Sequence, residues 1–231
     1  MLWFRDQLCV AMQFLQVLSV LSVFSAVFGL EVNVHQEVKN VVQKFLGAGD
    51  MRFKTFTVAL QLAIDRKAKT FIETGTSRAL PGRCASDGCS TYIFNAFNHY
   101  LNDESVEMYS VDISEENCHV SRENIKGLGN PRVEVVASDS VKFIQDWPVD
   151  KKIDFLYLDS FDFNPGQEIA SQEHHFKELK AALNKIHDET IIFMDDCRLR
   201  MGGKCAMVRD YLLKNNWQIV IDEYQTVFVK N

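Results

Sequence analysis

Aspartates follow two apolar segments of this sequence, at the point where each segment ends. Asp159 comes after the apolar run in IDFLYLDSFDF, and Asp195 and Asp196 come after the run in TIIFMDDCR. If these runs are neighbouring strands, about 4.8 Å apart, the three carboxylates converge at one edge of a sheet. Converging anions raise one another's pKa unless a cation lies among them, and oxygen-only ligation favours hard divalent ions. The pattern therefore predicts a Mg²⁺ or Mn²⁺ site. The alternative is that the acidic pair caps a turn while Asp159 holds substrate without a metal.

Three side chains near these aspartates are candidates for a general base. Asp162 stands shortly after Asp159, and His174 and His175 follow in SQEHHFKEL. The ordinary pKa of a histidine lets it take up a proton near neutral pH. On a helix only one of two adjacent histidines can face the sheet edge, so we expect the other at the surface. The alternative for both histidines is a structural place in a helical turn.

A further acid-containing segment is TFIETGTSRALPGRCASDGCST. Glu73 ends an apolar strand in it, Gly75 permits a sharp turn and a close ligand approach, and Ser90 stands where a helix N-cap is expected. Asp112 ends the next strand, in MYSVDIS, where a carboxylate can accept hydrogen bonds from both hydroxyls of a ribose. The glycine-rich motifs that bind dinucleotide or triphosphate groups are absent from the sequence. Two acids without a phosphate cradle favour a cationic nucleoside that carries no phosphate. An ordinary turn between strand and helix is the alternative.

Alternating strand and helix patterns position these acids. The predicted strands span 70–74, 107–112, 132–137, 153–159 and 190–195, and the predicted helices lie near 34–46, 53–66, 90–101, 114–127, 139–146, 168–187 and 204–215. Such alternation predicts a parallel sheet with helices on both faces. The last two apolar runs, WQIVIDEY and QTVFVK, have almost nothing between them, so they must pair antiparallel. The sequence therefore predicts an α/β fold whose mostly parallel, seven-stranded sheet ends in an antiparallel hairpin.

The acid-x-Gly turn, the strand-end acids and the closing hairpin resemble the class I S-adenosylmethionine-dependent methyltransferases, which have a Rossmann-like fold. The acid after strand four and the acidic pair after strand five are similar to those of metal-dependent O-methyltransferases that act on catechols or sugars. The insertion SRALPGRCASDGC departs from that family's first loop. The resemblance implies an S-adenosylmethionine-dependent methyltransferase (EC 2.1.1.-) that methylates a hydroxyl of a small molecule or sugar with a divalent metal. It implies a cofactor site at the strand ends, made of Glu73, Gly75, Thr76, Ser90, Asp112, Ser138, Asp139 and Asp159.

Asp139 has two compatible roles in this scheme. It can accept a hydrogen bond from the exocyclic amine of the cofactor's adenine, or it can cap the helix that follows it. A second class of function also stays open, because a fold does not fix a function. The chain could be a noncatalytic, membrane-attached protein whose methyltransferase-like domain only binds a ligand or partner, and cofactor binding discriminates between the two classes.

Length and charge limit the domain count and the partners. At 231 residues and 47% hydrophobic, the chain accommodates one catalytic domain (70–231), preceded by N-terminal helices (31–69) and a hydrophobic segment (1–30). The net charge of −6 and the absence of a Lys and Arg cluster in the sequence argue against a nucleic-acid partner. The sequence leaves the oligomeric state open.

The hydrophobic segment predicts a targeting or membrane element. Residues 7–30 contain no charged side chain, and a helix needs about 20 such residues to cross a bilayer. Val27 and Gly29 are small enough for a signal-peptide cleavage site. We therefore expect a signal-anchor or signal peptide and a membrane-associated or secretory-pathway protein. The alternative is a cytoplasmic protein in which this helix packs on the domain or on a partner subunit.

The six cysteines show no C-x-x-C motif and no zinc-ligand spacing. Cys84 and Cys89 share the inserted loop and could pair in an oxidising compartment. The sequence contains no N-x-[ST] glycosylation site, which argues mildly against a glycosylated lumen. We therefore expect at least four of the six cysteines to be free thiols.

Overall fold

A seven-stranded sheet forms the centre of the protein. The computed structural model describes residues 32–84, 88–129 and 131–230. The strands are β1 (Thr70–Thr74), β2 (Glu107–Asp112), β3 (Glu134–Ala137), β4 (Phe155–Leu158), β5 (Ile191–Met194), β6 (Trp217–Asp222) and β7 (Thr226–Lys230), in the spatial order β3-β2-β1-β4-β5-β7-β6. Strands β1 to β5 are parallel, and β7 is antiparallel to both β5 and β6. The predicted fold class and closing hairpin are confirmed.

Helices cover both faces of this sheet. They are α1 (Gln36–Gln43), α2 (Phe53–Asp65), α3 (Ser90–Leu101), α4 (Glu115–Gly127), α5 (Ser140–Asp146), α6 (Glu168–Ala182) and α7 (Ala206–Lys214). A 3₁₀-helical segment, Arg200–Cys205, precedes α7. Each helix matches a predicted one, although α1 and α6 are shorter than predicted. The cap of α3 is Cys89, with a left-handed backbone, and the predicted cap residue Ser90 is instead the first residue of the helix.

The two faces of the sheet bury different side chains, because successive residues of a strand point to opposite faces. On the face covered by α1 to α4, β4 contributes Phe155 and Tyr157. On the face covered by α5 to α7, the same strand contributes Leu156 and Leu158. Burial of each such side chain stabilises the fold by about 1.5–3 kcal/mol. The continuous apolar pattern of the central strands follows from this two-sided burial.

Helix α2 is anchored on the aromatic face of the sheet. The ring of Phe56 lies 5.1 Å from that of Phe193 and 5.7 Å from that of Tyr157. Arg52 stands just before the first residue of this helix. The packing of Phe56 therefore fixes Arg52 at the carboxyl edge of the sheet.

The carboxyl ends of β1 and β4 approach each other so closely that only glycine fits at Gly75. Its φ is +84°, and an added Cβ would lie 2.5 Å from the backbone oxygen of Asp159. The backbone N–H of Gly75 donates to the oxygen of Val111 at 2.7 Å. The turn after β1 is therefore held between the ends of β2 and β4.

Four of the five cysteines in the described residues form disulfides. Cys84 pairs with Cys89, and Cys197 pairs with Cys205. Cys118 is buried and free. The expectation of at least four free thiols is therefore wrong. Spacing alone could not reveal the second pair, because its two Cα atoms are brought to 5.0 Å by a glycine-containing turn.

The predicted hydrophobic segment 7–30 lies outside the described residues. Within the ranges that the structure describes, no helix combines the length and the apolar character needed to cross a bilayer.

Replacing Gly75 with alanine is expected to destabilise the protein. The left-handed backbone and the clash with the end of β4 together cost about 2–5 kcal/mol, measured as the free energy of unfolding in urea. Gly127→Ala is the matched control, because a Cβ there meets nothing within 4 Å and the position ends a helix. Equal stabilities of the two variants would contradict the close approach of β1 and β4.

Candidate active site

A cavity of about 340 Å³ opens at the carboxyl ends of β1 and β2. Residues from four strand ends and from α6 line it: Gly75, Val111, Asp112, Ile113, Asp139, Ser140, Ser160, Phe161 and His174. Gly75, Asp112 and Asp139 were predicted for a cofactor site, and the structure brings them together. The apolar lining residues were not predicted, although Ile113 directly follows a predicted acid in the sequence. Its side chain is 78% exposed and so is available to cover a flat ring.

The carboxylate of Asp112 is fixed from three sides. Its Oδ1 accepts from the backbone N–H of Ser114 at 2.8 Å and from Asn117 Nδ2 at 3.3 Å, and its Oδ2 accepts from the backbone N–H of Thr76 at 3.2 Å. The side chain is half-buried at the cavity wall. A carboxylate has about four lone-pair positions, so Asp112 can also accept hydrogen bonds from a ligand.

Glu73 and Thr76 lie beneath the loop and support it. Glu73 is 2% exposed and accepts from the hydroxyl of Thr91 at 2.8 Å. The Thr76 hydroxyl donates to that of Ser121 at 2.8 Å. Among the described residues, those that line the 340 Å³ cavity do not include Glu73. Glu73 therefore supports the turn after β1 from below and does not line the cavity.

Ser138 and Asp139 follow β3, and among the described residues Asp139 lines the cavity whereas Ser138 does not. The backbone N–H of Ser138 donates to the backbone oxygen of Asp112 at 2.9 Å. Asp139 caps helix α5 by accepting from the N–H of Lys142 at 2.8 Å, and it also lines the cavity. The structure thus contains the helix cap, and the contact of Asp139 with the adenine amine stays a prediction.

A second pocket, of about 260 Å³, lies on the other side of the β4 end. Charged side chains dominate its wall, which is formed by Arg52, Arg78, Asp159, Asp162, Phe163, Asn164, Asp195, Asp196, Leu199, Lys204 and Tyr224. A small space of about 30 Å³ lies between it and the cavity, since its lining includes Gly75 and Asp112 from the cavity and Asp159 and Asp162 from the pocket. We call the larger space the cofactor cavity and this one the acceptor pocket. Two adjoining spaces of this kind allow two molecules to meet at the end of β4.

The three predicted metal ligands converge in the acceptor pocket, but protein cations lie among them. Lys204 Nζ is 2.5 Å from Asp159 Oδ1 and 3.2 Å from Asp196 Oδ2. Arg52 Nε is 2.9 Å from Asp195 Oδ2. In the part of the chain that the structure describes, no group of three His, Cys, Asp or Glu residues is arranged to hold a metal ion. These carboxylates therefore do not fit the expected metal site, because Lys204 and Arg52 already pair with them.

Charge pairing also sets the ionisation of this cluster. Although burial favours the neutral form of Lys204, Asp159 and Asp196 raise the pKa of its ammonium above the usual value. Although burial favours the protonated form of Asp196, Lys204 lowers the pKa of that carboxyl. The Lys204 side chain is 2% exposed and remains an ammonium. Lys204 follows Gly202 and Gly203, a sequence typical of a mobile surface loop, but the structure buries its side chain.

Two basic residues that precede Lys204 in the same turn, Arg198 and Arg200, also have partners. Arg198 donates to the backbone oxygens of Asp222 and Glu223, and Arg200 pairs with Glu168. Neither lines the cofactor cavity or the acceptor pocket, as far as the described residues go. They hold the turn in place and do not bind an acceptor in this arrangement.

Of the three base candidates, only Asp162 lines the acceptor pocket. Its carboxylate pairs with Arg78 through two contacts of 3.1 and 3.3 Å. His174 lines the cofactor cavity, where its Nε2 lies 3.2 Å from the Ser140 hydroxyl. His175 is fully buried, and its Nδ1 donates to the backbone oxygen of Ser171 at 2.7 Å. Burial lowers the pKa of His175 to about 4.

The histidine pair therefore departs from expectation. One of the two histidines was expected at the surface, yet His175 is buried on the inner side of α6 and His174 is half-buried at the cavity. Neither lines the acceptor pocket among the described residues. This geometry argues against either histidine as the base for an acceptor and favours Asp162.

No protein-family model and no curated protein sequence matches the chain. Many solved structures match its fold, and three of them illustrate the likeness. A caffeoyl-CoA O-methyltransferase-like protein from Staphylococcus aureus superposes with a TM-score of 0.53 at 13% identity, covering 99% of this chain and 100% of that one.

The other two comparisons involve O-methyltransferases. The O-methyltransferase NovP gives a TM-score of 0.53 at 13% identity, with coverage of 84% of this chain and 79% of that one. The O-methyltransferase TomG from Streptomyces achromogenes, involved in tomaymycin synthesis and solved in complex with S-adenosylmethionine, gives 0.51 at 14% identity, covering 92% and 96%. At such identities the likeness concerns the fold alone. The chain therefore has the Rossmann-like fold of class I S-adenosylmethionine-dependent methyltransferases.

Proposed function

We propose that this protein is an S-adenosylmethionine-dependent O-methyltransferase that acts on a hydroxyl of a small molecule or sugar. The observation that supports the proposal is the junction of two spaces at the end of β4. The cofactor cavity carries a fixed acid for a ribose and lacks a phosphate cradle among its described residues, and the charged acceptor pocket adjoins it. The class I methyltransferase fold is one in which a cofactor site at the strand ends is expected.

The residues of the cofactor cavity fit S-adenosylmethionine. Asp112 would accept from the ribose hydroxyls, and Asp139 from the exocyclic amine of adenine. Gly75 lacks the Cβ that would fill the turn, while Thr76 and Ser90 adjoin the connecting space. Ile113 and Phe161 offer apolar surface for the adenine ring. S-Adenosylmethionine, when bound, supplies an electrophilic methyl group, and the electron pair of the broken carbon–sulfur bond stays on sulfur.

Asp162 is the proposed general base. It lines both the acceptor pocket and the connecting space, so its carboxylate can take the proton of a hydroxyl bound between them. Its pairing with Arg78 orients the carboxylate without burying it. The pocket's small volume and polar side chains suit a small hydroxylated acceptor and disfavour the binding of a large apolar one. Holding such an acceptor beside the cofactor cavity supplies proximity and orientation for the transfer.

We also propose that the hydrophobic N-terminal segment attaches the protein to a membrane or directs it into the secretory pathway. The segment 7–30 has the length and the lack of charge for this role. The two disulfides of the described part support it, since such bonds form and persist in oxidising compartments.

The first test is cofactor binding. S-Adenosylhomocysteine should raise the melting temperature, because a ligand at 100 times its Kd stabilises the native state by about 2.7 kcal/mol. Asp112→Ala should abolish this shift, whereas Asp146→Ala, which removes an exposed aspartate of α5 outside the cofactor cavity, should leave it unchanged. A wild-type protein whose melting temperature does not respond would favour the noncatalytic alternative.

A second prediction concerns His174, whose pKa is raised by its hydrogen bond to Glu178. A raised pKa in the folded state stabilises the protein below the unfolded value of about 6.5, and this stability is lost as the pH rises through the folded-state pKa. The stability that the wild type has over His174→Gln should therefore be largest below about pH 6.5 and should shrink as the pH rises through the folded-state pKa of His174. The free energies of unfolding of both proteins, measured across this range, give that difference. Parallel profiles for the two proteins would exclude the ion pair with Glu178.

The localisation is tested by fractionation of cells that express the full chain. We expect the protein in the membrane fraction or, after cleavage of its N-terminus, in the secreted fraction. Thiol alkylation without reduction should then label neither Cys197 nor Cys205, and reduction should expose both. An intact N-terminus on a protein in the cytosolic fraction would disprove the proposal.

A further inference from the structure

The acceptor pocket contains a buried ammonium, that of Lys204, which has no role in the function proposed above. Its side chain is 2% exposed, and its Nζ contacts Asp159 and Asp196 on two different strand ends. An ammonium has three N–H donors, and the contacts of the described residues account for two of them. Lys204 also lines the acceptor pocket. One donor of a fixed cation is therefore available to a molecule bound there.

The chain around Lys204 has the structure needed to bring it into the pocket. Gly203 has a φ of +59°, and an added Cβ would lie 1.7 Å from the backbone oxygen of Asp196. The backbone N–H of Lys204 donates to that same oxygen at 3.2 Å. Gln172 holds the turn from outside by donating to the backbone oxygen of Gly203 at 3.0 Å. The disulfide between Cys197 and Cys205 closes the turn.

This ammonium occupies the space that a divalent ion would need. A Mg²⁺ ion sits about 2.1 Å from its oxygen ligands, and Nζ already lies within hydrogen-bond distance of the oxygens of Asp159 and Asp196. Binding of an ion between these oxygens would require Lys204 to leave. The disulfide between Cys197 and Cys205 closes the turn that carries Lys204 and so restrains its backbone.

Arg52 completes the charge balance from another part of the chain. It pairs with Asp195, and its guanidinium lies 4.6 Å from the centre of the Tyr224 ring. Three carboxylates thus face two protein cations. The remaining negative charge is small, which weakens the attraction of the pocket for a divalent ion.

We propose that Lys204 is the resident cation of the acceptor pocket and takes the place of a divalent metal. Its ammonium binds the reacting oxygen of the acceptor and stabilises the negative charge that develops on it. The hydroxyl proton goes to Asp162, and Lys204 gives up no proton. This inference rests on the proposed methyltransferase function and assigns the protein to a metal-independent mode of that reaction.

The test is titration of Mn²⁺ into the full-length protein saturated with S-adenosylhomocysteine. Binding is measured as the loss of the electron paramagnetic resonance signal of free Mn²⁺. We expect no stoichiometric binding by the wild type in the millimolar range. Lys204→Ala should bind one Mn²⁺ per chain, because three carboxylates then face a single cation. The double variant Lys204→Ala/Asp196→Asn should lose that binding.

Lys185→Ala is the matched control. Lys185 is also buried, but its ammonium donates to the backbone oxygen of Ala181 and to Asn184, away from the acceptor pocket. This variant should acquire no Mn²⁺ site. Circular dichroism and the melting shift with S-adenosylhomocysteine check that each variant is folded.

Two outcomes would overturn the inference. One is stoichiometric binding of Mn²⁺ by the wild type that disappears in Asp196→Asn, a result that does not depend on whether Lys204→Ala folds. The other is a folded Lys204→Ala protein that binds no more Mn²⁺ than Lys185→Ala. The thermal shift separates this failure from that of the proposed function, since a protein that ignores S-adenosylhomocysteine fails the latter whatever its metal response.

Discussion

The structure of the site depends on one electrostatic constraint, the convergence of acidic strand ends at one edge of a parallel sheet. Asp159 directly follows β4, the Asp195–Asp196 pair directly follows β5, and the two strands are adjacent. Carboxylates so close together, and largely removed from water, require cations, because leaving a buried charge without its partner costs about 3–5 kcal/mol. Lys204 and Arg52 supply them. Helix α2, which follows Arg52, and the turn before α7 bring these two cations to the strand ends.

Sequence patterns predict the sheet and the position of its acids well, because both depend on local signals. Strand runs are short and apolar, and the acids stand immediately after them, so the edge at which Asp112, Asp139 and Asp159 meet follows from parallel topology. The hairpin of β6 and β7 follows from the lack of a crossover. The sequence did not predict that β7 lies between β5 and β6, since strand order within the hairpin depends on packing against α2 and α7.

The cations of the site were beyond sequence reasoning for different physical reasons. Arg52 and Asp195 are 143 residues apart, and only the packing of Phe56 on the sheet brings them together. Lys204 follows two glycines, a pattern typical of an exposed mobile loop, and its burial depends on the positive φ of Gly203. The burial of His175 likewise follows from the side of α6 that faces the sheet, which the weak amphipathic pattern of that helix does not indicate.

The two disulfides explain how a loop-borne site can be rigid. One closes the inserted loop beside the cofactor cavity, between Cys84 and Cys89, and the other closes the turn that carries Lys204. Closing loops this short stabilises the folded state by about 2–3 kcal/mol each in the chain-entropy description. That gain is comparable with the cost of ordering a few loop residues, at about 1–2 kcal/mol each. Covalent closure therefore lets the chain hold a desolvated ammonium in a turn that lacks regular α-helix or strand hydrogen bonding. A preorganised charge of this kind needs no rearrangement when an acceptor arrives, which is the property that makes fixed charges effective in catalysis.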